Sequence, residues 1–464
     1  MTPSRKPLHV LAYPFPSSGH IIPLLDLAKR IVSRRVYVTV LITPPNLPLL
    51  QPLLLSHAPF LQPLLLPDPH QKRLFPLVSS MRHLHHPFLL SWVQSHPSPP
   101  VAIISDFFLG WTRHLARDLS IPRLVFSPSG AFALSFSYSL WRHLPVNPDP
   151  GSATSLISFS NIPNSPVYPW WQINRHYREN KKGDPEWDFH RENMLDNIAS
   201  WGIVFNTFSE LEQVYLNHMK TDLGHDRVWA VGPVLPPRDG DDGGSADRGG
   251  SSSVPCHDLM TWLDSRPDCS VIYVCFGSRT VLTSSQMEVL TTALEVSGVQ
   301  FILSVRGPDE RHVGQDVGVI SEDFEERVRG RGLVIRGWSP QLAILGHRAV
   351  GSFLTHCGWN SVLEGLVPGV VMVTWPMGAD QYTNAKLIVD ELGAGLRAAE
   401  GITENVPEAT ELSEVIKRSL QENSTQRARA KELKKAALEA VAPEGSSQKE
   451  LDALVKHFFE LGDL

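Results

Sequence analysis

His356, Cys357, Gly358, Trp359, Asn360 and Ser361 stand in a row between an apolar run, Ala349 to Thr355, and a helical pattern. A strand that ends in a glycine-containing turn and feeds a helix leaves backbone N–H groups open, and those donors with the helix dipole suit a phosphate. Asn360 and Ser361 are expected to cap that helix, and His356 adds a side-chain donor beside the same anion. Ser278 follows another apolar run, Ser270 to Phe276, and joins the same anion set. Glu364, three residues after Ser361, reads either as the far half of a capping box or as a carboxylate that accepts from the two vicinal hydroxyls of a ribose. Trp338 follows the run Leu333 to Arg336 and reads as a platform for a flat base or as core. Asp380 and Gln381 end a second polar turn and offer groups for sugar hydroxyls. Base, ribose, diphosphate and sugar, the parts of a nucleotide sugar, are thus provided for within 44 residues.

A second set lies in the first half of the chain. His20 follows the run Leu8 to Tyr13, and Asp106 stands at the end of Val101 to Ser105. Moving a sugar to a hydroxyl needs a base for the acceptor proton and stabilisation of the leaving diphosphate. A neutral histidine suits the first task, and a carboxylate on its other nitrogen would fix the tautomer and stabilise the imidazolium. Taken alone, His20 reads first as an ordinary histidine at a helix start. Phe15, Phe107, Phe108, Ser127, Ser129, Phe132, Trp170, Trp171 and Met194, with Met377 from the second half, could wall a pocket for a flat phenol. Judged singly, each of them reads as core. There is no Asp-x-Asp motif for a catalytic cation, so no metal is expected. The cluster His83, His85 and His86 lacks cysteine or acidic spacing and reads as a solvated helix face.

The segment from Trp338 to Gln381 resembles the secondary-product signature of plant UDP-dependent glycosyltransferases, over its full length and without a gap. The resemblance implies a GT-B fold, two Rossmann-like doubly wound α/β domains facing across a cleft. It implies a UDP-sugar as co-substrate and a small lipophilic hydroxylated acceptor. The catalytic histidine and aspartate of that family fall in motifs matching Gly19-His20 and Ser105-Asp106-Phe107, which implies His20 as general base with Asp106 as its partner. The donor set widens to Gly19, Ser339, Gln341, Gly358 and Trp359. Gln381 in the last signature position resembles users of UDP-glucose. Direct displacement at the anomeric carbon then implies inversion, giving a β-glucoside of a phenolic or flavonoid acceptor. Left open are UDP-rhamnose or UDP-xylose as donor, a terpenoid, hormone or carboxylate acceptor, and C-glycosylation. A nucleotide-sugar hydrolase or epimerase and a non-catalytic nucleotide-binding module are the rival classes. One departure stands out: the family reads Gly-Val-Pro before the second strand, whereas this chain has Gly369-Val370-Val371 with a proline at Pro368.

Both sets need rigid elements behind them. Leu8 to Tyr13, Ile21 to Arg35 and Val36 to Ile42 read as strand, amphipathic helix and strand, which implies a parallel sheet. The series restarts after Pro236 to Pro255, a Gly-, Ser- and Asp-rich stretch that reads as a flexible linker. The expected domains are 1–235, binding the acceptor, and 256–446, binding the UDP-sugar. A last helix, 447–464, carries the stripe Leu451, Leu454, Val455, Phe458 and Leu461 behind a Ser447/Glu450 capping box. The resemblance implies that this helix returns to the first domain. Polar groups at the carboxyl ends of strands in two facing units would converge on one cleft.

At 464 residues the chain is long enough for two sizeable cores, and 42% hydrophobic with 19% charged residues fits a water-borne globular protein. A net charge of −6 argues against a nucleic-acid partner. Four irregularly placed cysteines make neither a disulfide framework nor a zinc pattern and fit a reducing, cytoplasmic setting. No signal peptide is read at the N-terminus. Val36 to Pro67 carries no formal charge, but seven prolines break it, so no spanning helix and no integral membrane segment is expected. A monomer is expected.

Overall fold

Strand β1 (His9–Tyr13) is buried along its whole length, as a strand covered by helices on both faces must be. In a computed structural model of the chain, residues 8–57, 59–179, 182–236, 252–307, 312, 314–401 and 406–463 are described. They fall into two units, residues 1–236 with 439–464, and residues 237–438. Most of the expected linker, 237–251, lies outside the described residues.

In the first unit β1 is followed by α1 (Ser18–Val32), β2 (Tyr37–Ile42), α2 (Leu47–His57), β3 (Leu61–Leu65), α3 (Leu74–Ser95), β4 (Ala102–Asp106), α4 (Thr112–Asp118), β5 (Arg123–Ser127) and α5 (Ala131–His143). A short antiparallel pair, β6 (Leu156–Ser158) and β7 (Val167–Pro169), precedes α6 (Arg175–Glu179), α7 (Pro185–Ile198), β8 (Gly202–Phe205), α8 (Ser209–Leu223) and β9 (Val228–Ala230). The main sheet is parallel throughout, in the order β3-β2-β1-β4-β5-β8-β9. Its order reverses between β1 and β4, the point where open α/β sheets bind ligands.

The second unit runs α9 (Cys256–Asp264), β10 (Val271–Cys275), α10 (Ser284–Ser297), β11 (Gln300–Val305), α11 (Phe324–Arg327), β12 (Gly332–Arg336), α12 (Gln341–Gly346), β13 (Val350–Thr355), α13 (Trp359–Leu366), β14 (Val371–Thr374), α14 (Gln381–Lys386), β15 (Gly395–Arg397) and α15 (Ala409–Ser419). Its sheet is also parallel, in the order β12-β11-β10-β13-β14-β15, and reverses between β10 and β13. Helix α16 (Thr425–Val441) carries the division between the units.

The final helix, α17 (Ser446–Gly462), buries Leu451, Leu454, Val455 and Phe458 in the same core as Val10 and Ala12 of β1 and Trp229 of β9. Its start differs from the capping box expected at Ser447 and Glu450. Gly445 is the N-cap, and the Ser447 hydroxyl donates instead to the carbonyl of Gly232, tying the helix to the segment after β9. The proline-rich run forms structure where none was read: α2 contains Pro52, and β3 contains Pro63 at the sheet edge, where a missing N–H is tolerated. Among the described residues no helix is long and apolar enough to cross a membrane.

Candidate active site

The reversal point of the first sheet holds His20 and Asp106. The first turn of α1 closes on the Ser17 carbonyl, which accepts from His20 N at 2.9 Å and Ile21 N at 2.8 Å. That turn sets the imidazole against the end of β4. His20 Nδ1 lies 2.7 Å from Asp106 Oδ2, and Asp106 Oδ1 accepts from Phe108 N at 2.9 Å. The aspartate is fully buried and the histidine side chain is 17% exposed, so the pair has one wet end. A carboxylate only accepts, so a neutral imidazole here would donate from Nδ1 and turn the Nε2 lone pair the other way. Phe107 and Phe108 stack on the imidazole with centroids at 5.7 and 5.0 Å, and Phe15 meets it edge-on at 5.3 Å. The imidazole is thus held between a buried carboxylate and an aromatic cradle.

The reversal point of the second sheet is built differently. His356 follows β13, and Gly277 follows β10 at φ +78°. A Cβ on Gly277 would stand 2.6 Å from the His356 ring, and one on Gly358 would stand 2.6 Å from its Nε2. Two glycines therefore make the slot that the imidazole fills. Burial pushes His356 down to about 4, so it is neutral at pH 7, and its Nδ1 has no hydrogen-bond partner among the described residues. Gly358 is the N-cap of α13, which places Trp359, Asn360 and Ser361 in the first turn. The first turn of a helix points its N–H groups out of the helix end, an arrangement that suits a diphosphate. The expected side-chain caps at Asn360 and Ser361 are not made, because the cap falls at the glycine before them.

The capping-box reading of Glu364 also fails: Gln341 Nε2 donates to Ser361 Oγ at 3.2 Å and to Glu364 Oε2 at 2.5 Å, linking α12 to α13. The Ser339 hydroxyl turns inward to Tyr273 OH at 2.6 Å and Ser304 Oγ at 3.1 Å, and its carbonyl accepts from Gln341 N at 2.8 Å. The Trp359 indole is buried. Trp338 is half-buried with the Arg306 guanidinium 5.6 Å from its ring centre, so it is no core residue. Gln381 Oε1 accepts from Met377 N at 2.8 Å and Gly378 N at 3.0 Å, which fixes the amide orientation and turns its N–H groups the other way. Asn384 donates to Cys357 O at 2.9 Å and Asp380 Oδ2 at 3.1 Å, locking the two polar turns together. Ser278 is half-buried in the turn beside Gly277, and Gly19 precedes His20 in the first unit.

The acceptor candidates divide. Phe107, Phe108, Ser129, Trp170 and Trp171 keep exposed surface, whereas Phe15 is buried beneath His20. Phe132 stacks on Tyr215 at 4.2 Å, Met194 is 1% exposed, and the Ser127 hydroxyl is spent on Ser129 O. Met377 packs in the core of the second unit. These four are buried within their own units and present little surface to a ligand. His85 corrects the solvated-face reading of the histidine cluster. It is fully buried, bonded to Tyr13 OH and at 2.7 Å to Pro67 O, while His83 alone is exposed. Among the described residues no cluster of three or more His, Cys, Asp or Glu could hold a metal. Sequence reasoning missed Tyr273, Arg306 and Asn384, and with them Arg123, Asn193 and Asn197 behind Asp106. A tyrosine in the otherwise small and apolar strand β10 was the one local sign.

A family profile described as UDP-glucoronosyl and UDP-glucosyl transferase matches residues 251–430. The flavonol 3-O-glucosyltransferase UGT89B1 of Arabidopsis thaliana is 49% identical, over 98% of this chain and 97% of its own length. The solved structure of UGT89C1 from Arabidopsis thaliana with UDP-L-rhamnose superposes with a TM-score of 0.79 at 35% identity, covering 98% of this chain and 99% of that one. The same protein with quercetin gives a TM-score of 0.77 at 34% identity, covering 98% and 100%.

Proposed function

The chain belongs to the UDP-glucoronosyl and UDP-glucosyl transferase family, with the GT-B fold and glycosyltransferase activity of its plant members, and we propose that it glucosylates a flavonol-type phenol from UDP-glucose with inversion. The observation that carries the reading is the 2.7 Å contact between His20 Nδ1 and Asp106 Oδ2. The acceptor O–H bond breaks, its proton passes to His20 Nε2, and Asp106 stabilises the imidazolium. The freed oxygen attacks the anomeric carbon as the bond from that carbon to the UDP oxygen breaks. The N–H groups of α13, with His356, take up the charge that develops on the diphosphate. A single displacement turns an α-linked donor into a β-glucoside. No metal enters this scheme.

Glucose is favoured by Gln381 and by the 49% identical flavonol glucosyltransferase. A second reading, UDP-rhamnose, is supported by the UGT89C1 complex. A donor screen against quercetin, read by mass spectrometry with UDP-glucose, UDP-rhamnose, UDP-xylose and UDP-galactose, separates the two. The proposal expects a hexose adduct from UDP-glucose, retained in EDTA. A clear preference for UDP-rhamnose retires the glucose assignment, and inhibition by EDTA that Mg²⁺ reverses retires the metal-free scheme.

A further inference from the structure

Behind Asp106 lies a buried guanidinium. Arg123, on β5 beside β4, is 2% exposed. Its Nε donates to Ser105 Oγ at 2.8 Å, its Nη1 to Asn197 Oδ1 at 2.8 Å and Ser200 Oγ at 2.7 Å, and its Nη2 to the Asp106 carbonyl at 3.3 Å. All four acceptors are neutral, and no carboxylate forms an ion pair with Arg123 among the described residues. A buried cation is normally matched by a contacting anion, because leaving it unmatched costs stability. Here the chain bears that cost directly behind the buried carboxylate that faces His20.

The charge persists at neutral pH. Burial pulls Arg123 down to about 10, while Tyr138 of α5, Asp196 of α7 and Asp106 of β4 favour the cation and Arg113 of α4 opposes it. On the other side His20 faces Asp106 and the rings of Phe15, Phe107 and Phe108. The same network holds the turn after β4. Ser105 Oγ and Thr112 Oγ1 are 2.7 Å apart, Asn197 Nδ2 donates to Phe107 O at 2.6 Å, and Trp111 N donates to Asn193 Oδ1 at 2.8 Å. Gly110 admits α7 to that turn, since a Cβ there would stand 2.0 Å from Asn193 O.

Resting on the reading of His20 as base, we infer that Arg123 is a positioning residue for proton transfer: its fixed positive charge behind Asp106 limits how firmly the pair holds a proton. His20 takes the proton from the acceptor hydroxyl and must return it to solvent before the next turnover. A carboxylate with nothing behind it would keep the imidazole protonated to higher pH, leaving less free base near neutrality. The guanidinium counters that pull without touching substrate.

The test is the pH profile of kcat/KM with UDP-glucose and quercetin for the full chain and for Arg123→Met, Arg123→Lys and His20→Ala, with Tm recorded for each. Arg123→Met should move the acid limb to higher pH by about half a unit or more. Arg123→Lys keeps the charge but loses the fork of donors, so its Tm should fall while its limb stays with the parent's. A limb that does not move in Arg123→Met, or that moves equally in both variants, overturns the inference. Should Arg123→Met fail to fold, Asn197→Asp sets an isosteric carboxylate against Nη1 and should move the limb the same way; no movement there is equally fatal. If His20→Ala transfers glucose at the parental rate, the base reading itself falls. A dead His20→Ala beside an unmoved Arg123→Met removes only the role of Arg123.

Discussion

Each unit sets a histidine beyond a strand at the reversal point of its sheet, and the two histidines live under opposite conditions. His20 has a wet end and a carboxylate at 2.7 Å. His356 is packed between two glycines, has no ion pair with a carboxylate among the described residues, and is held near 4 by burial. The first environment suits a group that gains and loses a proton. The second suits a group that stays neutral and donates a hydrogen bond without changing charge. The same side chain therefore reads as base in one unit and as anion ligand in the other, and the surroundings alone make the difference.

The contrast can be broken first at Asp106. Asp106→Asn offers a donor where His20 Nδ1–H needs an acceptor, favouring the wrong tautomer, and should lower kcat/KM by on the order of 10²–10⁴-fold in initial-rate assays. A loss below about fivefold would mean that the carboxylate does not orient the imidazole. In the second unit Gly277→Ala pushes a methyl to within 2.6 Å of the His356 ring at a φ of +78°. It should weaken UDP binding about tenfold by calorimetry, with a cost in stability of about 1–2 kcal/mol. Unchanged UDP affinity would show that the slot is not part of the nucleotide site.

A smaller effect sharpens the comparison through stability. With His356 at about 4 in the fold and about 6.5 unfolded, the unfolded chain binds a proton between these values that the native chain does not. The contribution is full above pH 6.5 and is lost as pH falls towards 4. It amounts to at most about 3 kcal/mol, and less after solvent screening of a half-buried ring. His356→Gln removes the dependence, so the Tm difference between parent and variant should change by a few degrees between pH 7 and pH 4.5 in scanning calorimetry. A constant difference would place the ring in a wetter setting than its packing implies.

The parallel strands were legible because they are continuous apolar runs buried on both faces, such as Val271–Cys275 and Val350–Thr355. The proline-rich stretch was not. Pro52 inside α2 and Pro63 in an edge strand are cases where position in the sheet and packing on the core override a local breaker. At the site, the polar turns beyond the strands were visible in the sequence, the pairing of His20 with Asp106 rested on the resemblance, and side-chain direction was not visible. Ser339 turns to Tyr273, 66 residues away, and Asn197 reaches Phe107 across 90 residues. Partners at such separations leave no mark on a local pattern. The Ser-x-x-Glu at Ser361 shows the converse, since the motif is present while the cap is at Gly358 and Glu364 bonds Gln341.

The central claim, a base in the first unit and a nucleotide grip in the second, is tested most directly by measuring His20→Ala twice: quercetin glucosylation by initial rate, and UDP binding by calorimetry. Transfer should fall by at least about 10²-fold while the UDP Kd stays within about twofold of the parent's. Glucosylation at the parental rate, or a UDP affinity that collapses together with the rate, would contradict it.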